Sequence, residues 1–262
     1  MRAKLTAIVL RTVDTGEADR VVTLLTRERG KVAAYARGAR ASRRRFGGSL
    51  EPFTLLSAEV RERSASELLG LESVTPVQAF GGIRGDLARI ACAGYAAELS
   101  RELVRDHEPH EELFDLLAAY LGALDAGPAR PAALRAFELG ALRAAGLSPR
   151  LDACARCGRP PPAERAARFD PGQGGILCEA CAPYAAPGAP SLSAPAVGAL
   201  ARLAGGGLAA ASAERLAPPI GREARDALTA FVEHHLGRRL QARRFLDEVA
   251  PLLGEERSPG EG

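Results

Sequence analysis

The chain has 262 residues, of which 47% are hydrophobic and 26% charged, proportions that exclude a disordered or collagen-like polypeptide. The net charge is only +3 and aromatics make up 5% with no Trp, so base stacking is excluded as the main means of binding a ligand. That length allows one large domain or two to three small ones. The opening "MRAKLTAIVLRTVDTGEADR" has an apolar run too short for a secretory signal. The most apolar later stretch, Ala194–Ala213, carries Arg202 and three consecutive glycines and makes a poor membrane span. The expected protein is cytoplasmic, without membrane contact, in a compartment where disulfides rarely form.

From residue 5 to about 73 the pattern is that of short strands. "LTAIVLRT", "VVTLLT", "GKVAAYARG", "FTLLSAEVRER" and "SELLGLESV" are apolar or alternating runs, with Gly16, Gly30, Gly38, Gly47 and Gly48 as turn signals. Within them "EADRVVTLLTRERG" suits one short helix as well as a strand, and periodicity alone does not decide. Several short strands in so little chain predict a small closed antiparallel barrel.

After Pro76 the period becomes helical. Leu87, Ile90, Ala91, Tyr95, Leu99 and Leu103 recur at three- and four-residue steps, as do Leu113, Phe114, Leu117, Tyr120, Leu121 and Leu124. "RPAALRAFELGALRAAG" sets Pro131 near a helix start and Gly146 at its end. A Pro- and Gly-rich insert follows, with little periodicity, then further helices and one long amphipathic helix over 222–246. The predicted fold is α+β. It comprises a barrel over 1–80, a helical domain in two parts over 81–150 and 191–253, a four-cysteine module over 151–190 and a flexible tail over 254–262.

"CARC" places Cys154 and Cys157, and "CEAC" places Cys178 and Cys181, with twenty residues between the pairs. Four thiolates at C-x2-C spacing suit one tetrahedral Zn²⁺, and four cysteines leave no open position for catalysis. An insert so poor in large apolar residues is expected to need metal as a folding staple. Cys92, beside Ala91 on an apolar helix side, reads as core. His107 and His110 fall in the charged connector "DHEPHEE", while His234 and His235 are expected on different faces of the last helix and so not to act as a pair. The sequence has no phosphate-binding Gly-rich loop, no G-x-S-x-G and no evident nucleophile with its base. Binding, not catalysis, is the expected chemistry, with no small-molecule substrate.

Residues 31–50 contain Lys31, Arg37, Arg40, Arg43, Arg44 and Arg45 and no acid, and residues 1–80 carry fourteen Lys and Arg against nine Asp and Glu. A small barrel with clustered Arg on a loop is the general form of an oligonucleotide-binding (OB) fold. The planar guanidinium pairs bidentately with phosphate oxygens. A second basic cluster, "GRRLQARRFL", holds Arg238, Arg239, Arg243 and Arg244.

In order and spacing, "AIVLRT", "GEADRVVTLLTRERGKVAAYARGAR", "FGGSLEPFTLL", "ELSRELV", "FELGALRAAGLSPRLDACARCG" and "LGRRLQARRFL" make nearly the whole chain resemble the bacterial DNA repair protein RecO family. The resemblance departs at Ala242-Arg243, where the family usually has Lys-Ser. It implies an N-terminal OB-fold, a helical domain and, as in some members, an inserted four-cysteine zinc module. It also implies a recombination mediator, associated with the nucleoid, that binds single- and double-stranded DNA and anneals complementary strands. Such a mediator engages the C-terminal tail of single-strand DNA-binding protein and acts with RecR to load RecA. Lys31, Arg37, Arg40 and Arg43 to Arg45 would then supply phosphate contacts. Two rivals share parts of the pattern. An RNA-binding or transcription-linked zinc-ribbon protein shares the basic barrel and the cysteines. A zinc-stabilised nuclease would need clustered acidic metal ligands.

Overall fold

Alternating apolar side chains make β1 (Arg2–Thr15) a strand with Leu5, Ala7 and Val9 buried on one side. It pairs antiparallel with β2 (Asp19–Thr26) from Ala7 opposite Thr26 to Thr15 opposite Asp19, and with β4 (Leu55–Arg63) from Arg2 opposite Arg61 to Ile8 opposite Leu55. Next to β2 lies β3 (Gly30–Ala36), and β5 (Ser66–Gln78) pairs antiparallel with β4. Two parallel pairs, Ala34 with Leu69 and Tyr35 with Gly70, join β3 to β5 and close the barrel in the order β1-β2-β3-β5-β4. This five-stranded closed order, with the short helix α1 (Arg43–Phe46) between β3 and β4, is an OB-fold. "EADRVVTLLTRERG" is thus strand and turn, because Val22 and Leu24 bury inward while both edges of β2 find ladder partners. Phe46 and Leu50, each 2% exposed, join the barrel core with Val32, Leu56 and Val60.

The computed structural model describes residues 2–63, 66–161 and 165–253, so the tail over 254–262 lies outside the described residues. The chain divides into two units, Met1–Gly127 and Pro128–Gly262. In the first, the barrel is followed by α2 (Leu87–Leu103) and α3 (Glu111–Ala126). Asp86 caps α2 by accepting a hydrogen bond from the Arg89 N–H at 2.9 Å. The helix buries a face of small residues around Cys92, Tyr95 and Leu99, whereas Leu87, expected on that face, is 58% exposed at the first turn. All six apolar residues expected on α3 are buried. Arg27 grips Asp115 of α3 through two bonds of 2.5 and 3.0 Å and tethers the β2 end of the barrel to that helix. Gly30 is irreplaceable there: its φ is +64°, and a Cβ would sit 1.7 Å from the Glu108 carbonyl oxygen.

In the second unit α4 (Pro131–Ala144) begins on Pro131 and is closed by Gly146 at φ +74°. It packs against α5 (Ala194–Ala213) and α6 (Pro218–Leu236). α5 is long and apolar enough to cross a membrane by length and composition, but Gly207 breaks its helical path at φ 70° and ψ 178°. The expected single helix over 222–246 is two: α6 ends at Gly237, left-handed at φ 67°, and α7 (Gln241–Glu248) begins after it. The insert is not featureless either. Strands β6 (Ala167–Asp170), β7 (Gly175–Leu177) and β8 (Ser191–Leu192) form a small sheet in the order β7-β6-β8. Phe169 from this sheet is fully buried, with its ring 5.8 Å from that of Phe231 on α6.

Arg135 and Glu138 on α4 are both 0% exposed and meet at 2.9 Å. Removing one partner from a buried pair leaves an uncompensated charge, at a cost of about 3–5 kcal/mol, whereas an apolar replacement of both is often neutral. Glu138→Ala is therefore expected to lower unfolding stability by that amount in urea titrations, and Arg135→Met combined with Glu138→Leu to recover most of it. Equal losses in the single and double variants would contradict this account.

Candidate metal centre and nucleic-acid interface

The two C-x2-C segments are tight turns. The Gly158 N–H donates to the Cys154 carbonyl at 2.9 Å, and the Ala182 N–H donates to that of Cys178 at 2.8 Å. The Ala155 N–H reaches the Ile176 carbonyl at 2.7 Å and lays the first turn beside β7. The four Sγ atoms of Cys154, Cys157, Cys178 and Cys181 consequently lie within 4.8 Å of one another, with Cys157 and Cys178 at 3.6 Å. Ligands at about 2.3 Å from a tetrahedral ion are about 3.8 Å apart, so the cluster has the dimensions of a metal site and is far too open for disulfides of about 2.05 Å. Among the described residues these cysteines are the one group of three or more His, Cys, Asp or Glu side chains close enough to share an ion.

Electrostatics within the cluster point the same way. Burial opposes ionisation of Cys154, but N–H groups of Cys178, Cys157 and Arg156 and the neighbouring thiol of Cys157 bring its pKa down to about 6. Burial, then hydrogen bonds with the other three sulfurs, push Cys181 up to about 12. Ionisation is favoured at Cys154 and opposed at Cys181, an opposition that a bound cation would relieve.

On the barrel, the basic run occupies the turn after β3 together with α1. Arg37, Arg40, Arg44 and Arg45 are all exposed, while the side chain of Arg43 lies outside the described set. Phe46 anchors α1 in the core and Gly47, left-handed at φ 49°, ends it. Arg45 braces the turn by donating to the Arg37 carbonyl at 2.8 Å, and Arg40 donates to the Glu17 carbonyl at 3.1 Å. Arg37 and Arg45 border an open groove of about 450 Å³ with Tyr35 and Arg61. The key to this arrangement, missed in the sequence, is Asp19. Its carboxylate accepts hydrogen bonds from the Tyr35 hydroxyl and, at 2.6 Å, from the Gly38 N–H. The signal was an acid at the first residue of β2 facing the β3 turn, visible only once the register was known.

Lys31 does not join the arginines. Its ammonium donates to the Arg101 carbonyl at the end of α2 at 2.8 Å and lies 3.3 Å from Asp106. The C-terminal cluster is likewise not one open basic surface. Arg243 is 4% exposed and 2.9 Å from Asp247, Arg239 meets the same carboxylate at 2.7 Å, and Arg244 lies 3.4 Å from Glu248. Arg238 remains exposed. His234 and His235 do meet, contrary to expectation, with ring centroids 5.2 Å apart, because His235 leans on Phe231.

The fold and the cluster define a class: an OB-fold barrel joined in one chain to helices that carry a four-cysteine, metal-compatible module. Comparison with known families gives the particular member. The family model described as recombination protein O N terminal matches residues 1–80, and the one described as recombination protein O C terminal matches residues 84–244. DNA repair protein RecO of Anaeromyxobacter dehalogenans (strain 2CP-1 / ATCC BAA-258) is 75% identical over 97% of this chain and 99% of its own length. The protein of the same name from Myxococcus xanthus is 48% identical over 93% of this chain and 96% of its own. That from Geobacter sulfurreducens is 44% identical over 94% and 97%. The chain belongs to the recombination protein O family.

The Tyr35 hydroxyl, then the Gly38 N–H, hold the Asp19 carboxyl below its ordinary 3.8, against a smaller opposing effect of burial and with help from the Arg37 charge. A depressed carboxyl pKa contributes stability that is full above the ordinary value and lost as pH falls through the folded one. Asp19→Asn is therefore expected to be less stable than the parent chain at pH 6, with the difference shrinking only as pH falls below the ordinary 3.8 and through the lower folded value. Thermal melts of both chains between pH 3 and pH 6 measure it, and a difference independent of pH would refute the tie.

Proposed function

We propose that this chain is a recombination mediator in recombinational DNA repair. It binds single- and double-stranded DNA and anneals complementary strands. It engages the C-terminal tail of single-strand DNA-binding protein and acts with RecR to load RecA, in the cytoplasm at the nucleoid. The observation that carries this reading is the exposed set of arginines on the turn and helix that follow β3 of an OB-fold, in a chain of the recombination protein O family. Arg37, Arg40, Arg43, Arg44 and Arg45 contact phosphates, and the protein works by binding rather than by catalysis. Lys31, Arg239, Arg243 and Arg244 are left out of the contact set because carboxylates already pair with them. RecR and the protein tail are taken from the family reading, and no residues are assigned to them.

Like charges crowded on a short turn repel one another, and a polyanion offsets that repulsion. Each phosphate neutralised on a single strand contributes about 0.7 to the slope of log affinity against log salt. Replacing Arg43, Arg44 and Arg45 with Ala is expected to weaken binding to DNA of any sequence alike and to flatten that slope by about two units. The same variant should anneal complementary strands coated with single-strand DNA-binding protein more slowly. Wild-type affinity and slope in the triple variant would refute the assignment, and tighter binding to RNA than to DNA of the same sequence would shift the function to RNA.

Cys154, Cys157, Cys178 and Cys181 are assigned one structural Zn²⁺ per chain. The ion would lock the two turns together by neutralising their thiolates. Cys178→Ser is expected to lose the zinc and to raise amide exchange in the two cysteine turns, while the barrel and the sheet anchored by Phe169 keep their protection. Elemental analysis of protein purified without chelator that finds no zinc would overturn the assignment.

A further inference from the structure

The cysteine module carries a surface feature that neither the metal nor the barrel explains. Among the described Phe and Tyr residues only Tyr184 and Phe245 are exposed, at 59% and 38%. Tyr184 follows the second cysteine turn, and the guanidinium of Arg156, from within the first turn, lies over its ring at 3.8 Å from the centroid. The stack bridges the two turns, so whatever clamps the four sulfurs also fixes these two side chains. Glu179, the acid within the second turn, is engaged by Arg165 through contacts of 2.5 and 2.6 Å, while Arg156 and Arg159 stay exposed.

An exposed guanidinium stacked on a ring is attracted strongly enough to order both side chains but adds little as a structural staple beside four sulfurs. What the stack does provide is a rigid flat cation. The outer face of a guanidinium accepts an unstacked base, and its N–H edge remains available to a phosphate. Both groups are ordered before a ligand arrives, which lowers the entropic cost of binding.

We infer that Arg156 and Tyr184 form a second nucleic-acid contact that takes one nucleotide of a single strand, with the base on the stacked platform and a phosphate on the Arg156 edge. This rests on the DNA-binding reading above and extends it from the barrel to the cysteine module. Because neither residue is a sulfur ligand, the site can be altered without dismantling the cluster.

The test uses the full zinc-loaded chain and a labelled oligothymidylate, with anisotropy titrations at several NaCl concentrations and zinc content measured in each variant. Arg156→Ala with Tyr184→Ala should lose affinity by roughly fivefold or more, the scale of one stacked base, and flatten the salt slope by about 0.7. Tyr184→Phe should bind like the parent chain. Arg156→Lys should keep the slope but not the full affinity, because it retains the charge and loses the plane. The chain has no Trp and four Tyr, of which Tyr95 and Tyr120 are buried, so quenching of tyrosine emission by oligothymidylate should shrink in Tyr184→Ala. Parent-like affinity and slope in the double variant would overturn the inference while leaving the barrel reading intact. Failure of the parent chain itself to bind the oligonucleotide would instead remove the DNA-binding reading, and this inference with it. Should the double variant be short of zinc, Arg156→Lys decides by affinity alone, and parent-like affinity in that variant would overturn the inference.

Discussion

One strand serving two partners is the constraint on which the barrel and its basic turn depend. β1 must leave β4 and continue along β2, and it does so with a register shift between Val9 and Arg11. At the shift Val9 turns its backbone groups to the segment after α1: its N–H donates to the Thr54 carbonyl at 3.0 Å and its carbonyl accepts from the Phe53 N–H at 2.9 Å. Thr12 adds a side-chain bond to the Leu50 carbonyl at 2.6 Å. These bonds fix the chain leaving α1, while Asp19, through Gly38, fixes the chain entering it. The arginines between are carried on a span held at both ends, so their mutual repulsion is borne by the barrel core through Phe46 and by backbone hydrogen bonds.

The strands were legible because each carries an inward-facing apolar set that survives in any environment: Leu5, Ala7 and Val9, then Val22 and Leu24, then Val32 and Ala34. The cysteines were legible because ligand spacing is a local property, and so was the basic run as a stretch of sequence. What the sequence hid was pairing across the fold. Lys31 reads as part of the basic run and is held by the end of a helix some seventy residues later, at Arg101. The break at Gly237 was masked because Arg238 and Arg239 are good helix formers that extend the apparent period past it. The small sheet in the insert has strands of four, three and two residues, too short for alternation to register.

The arginines sort by solvation rather than by sequence crowding. Arg135, Arg225 and Arg243 are at most 4% exposed, and each has a carboxylate of its own helix at 2.9, 3.1 and 2.9 Å. A buried guanidinium without such a partner would be far too costly. Those on the β3 turn are exposed: Arg45 leans on the Arg37 carbonyl, and Arg40 leans on the Glu17 carbonyl with the Asp14 carboxylate at 3.9 Å. A carbonyl orients a guanidinium without neutralising it. Local density of Arg in the sequence therefore points to a surface only where acids are absent at helical spacing, as they are over 37–45 and are not around Arg243.

The same separation of anchoring from clamping runs through the cysteine module. Asp170, 3% exposed, accepts from the N–H groups of Gly172, Gln173 and Ala186 at 2.8, 3.2 and 2.8 Å and ties the β6–β7 turn to the chain beyond the second cysteine pair. Phe169 packs on α6, and the Arg150 carbonyl accepts from the Ile176 N–H at 3.0 Å. Gly175 makes that approach possible, since a Cβ there would lie 2.3 Å from the Arg150 oxygen. The insert thus borrows a core from the helical unit instead of lacking one, and an ion held by the four sulfurs would not have to fold it from nothing. Its effect would centre on the two turns, which share a small apolar cluster with Leu177, Ala155 and Ala185. A clamp so placed is too local to set the fold of the unit, but well placed to set the geometry of the side chains the turns present to solvent.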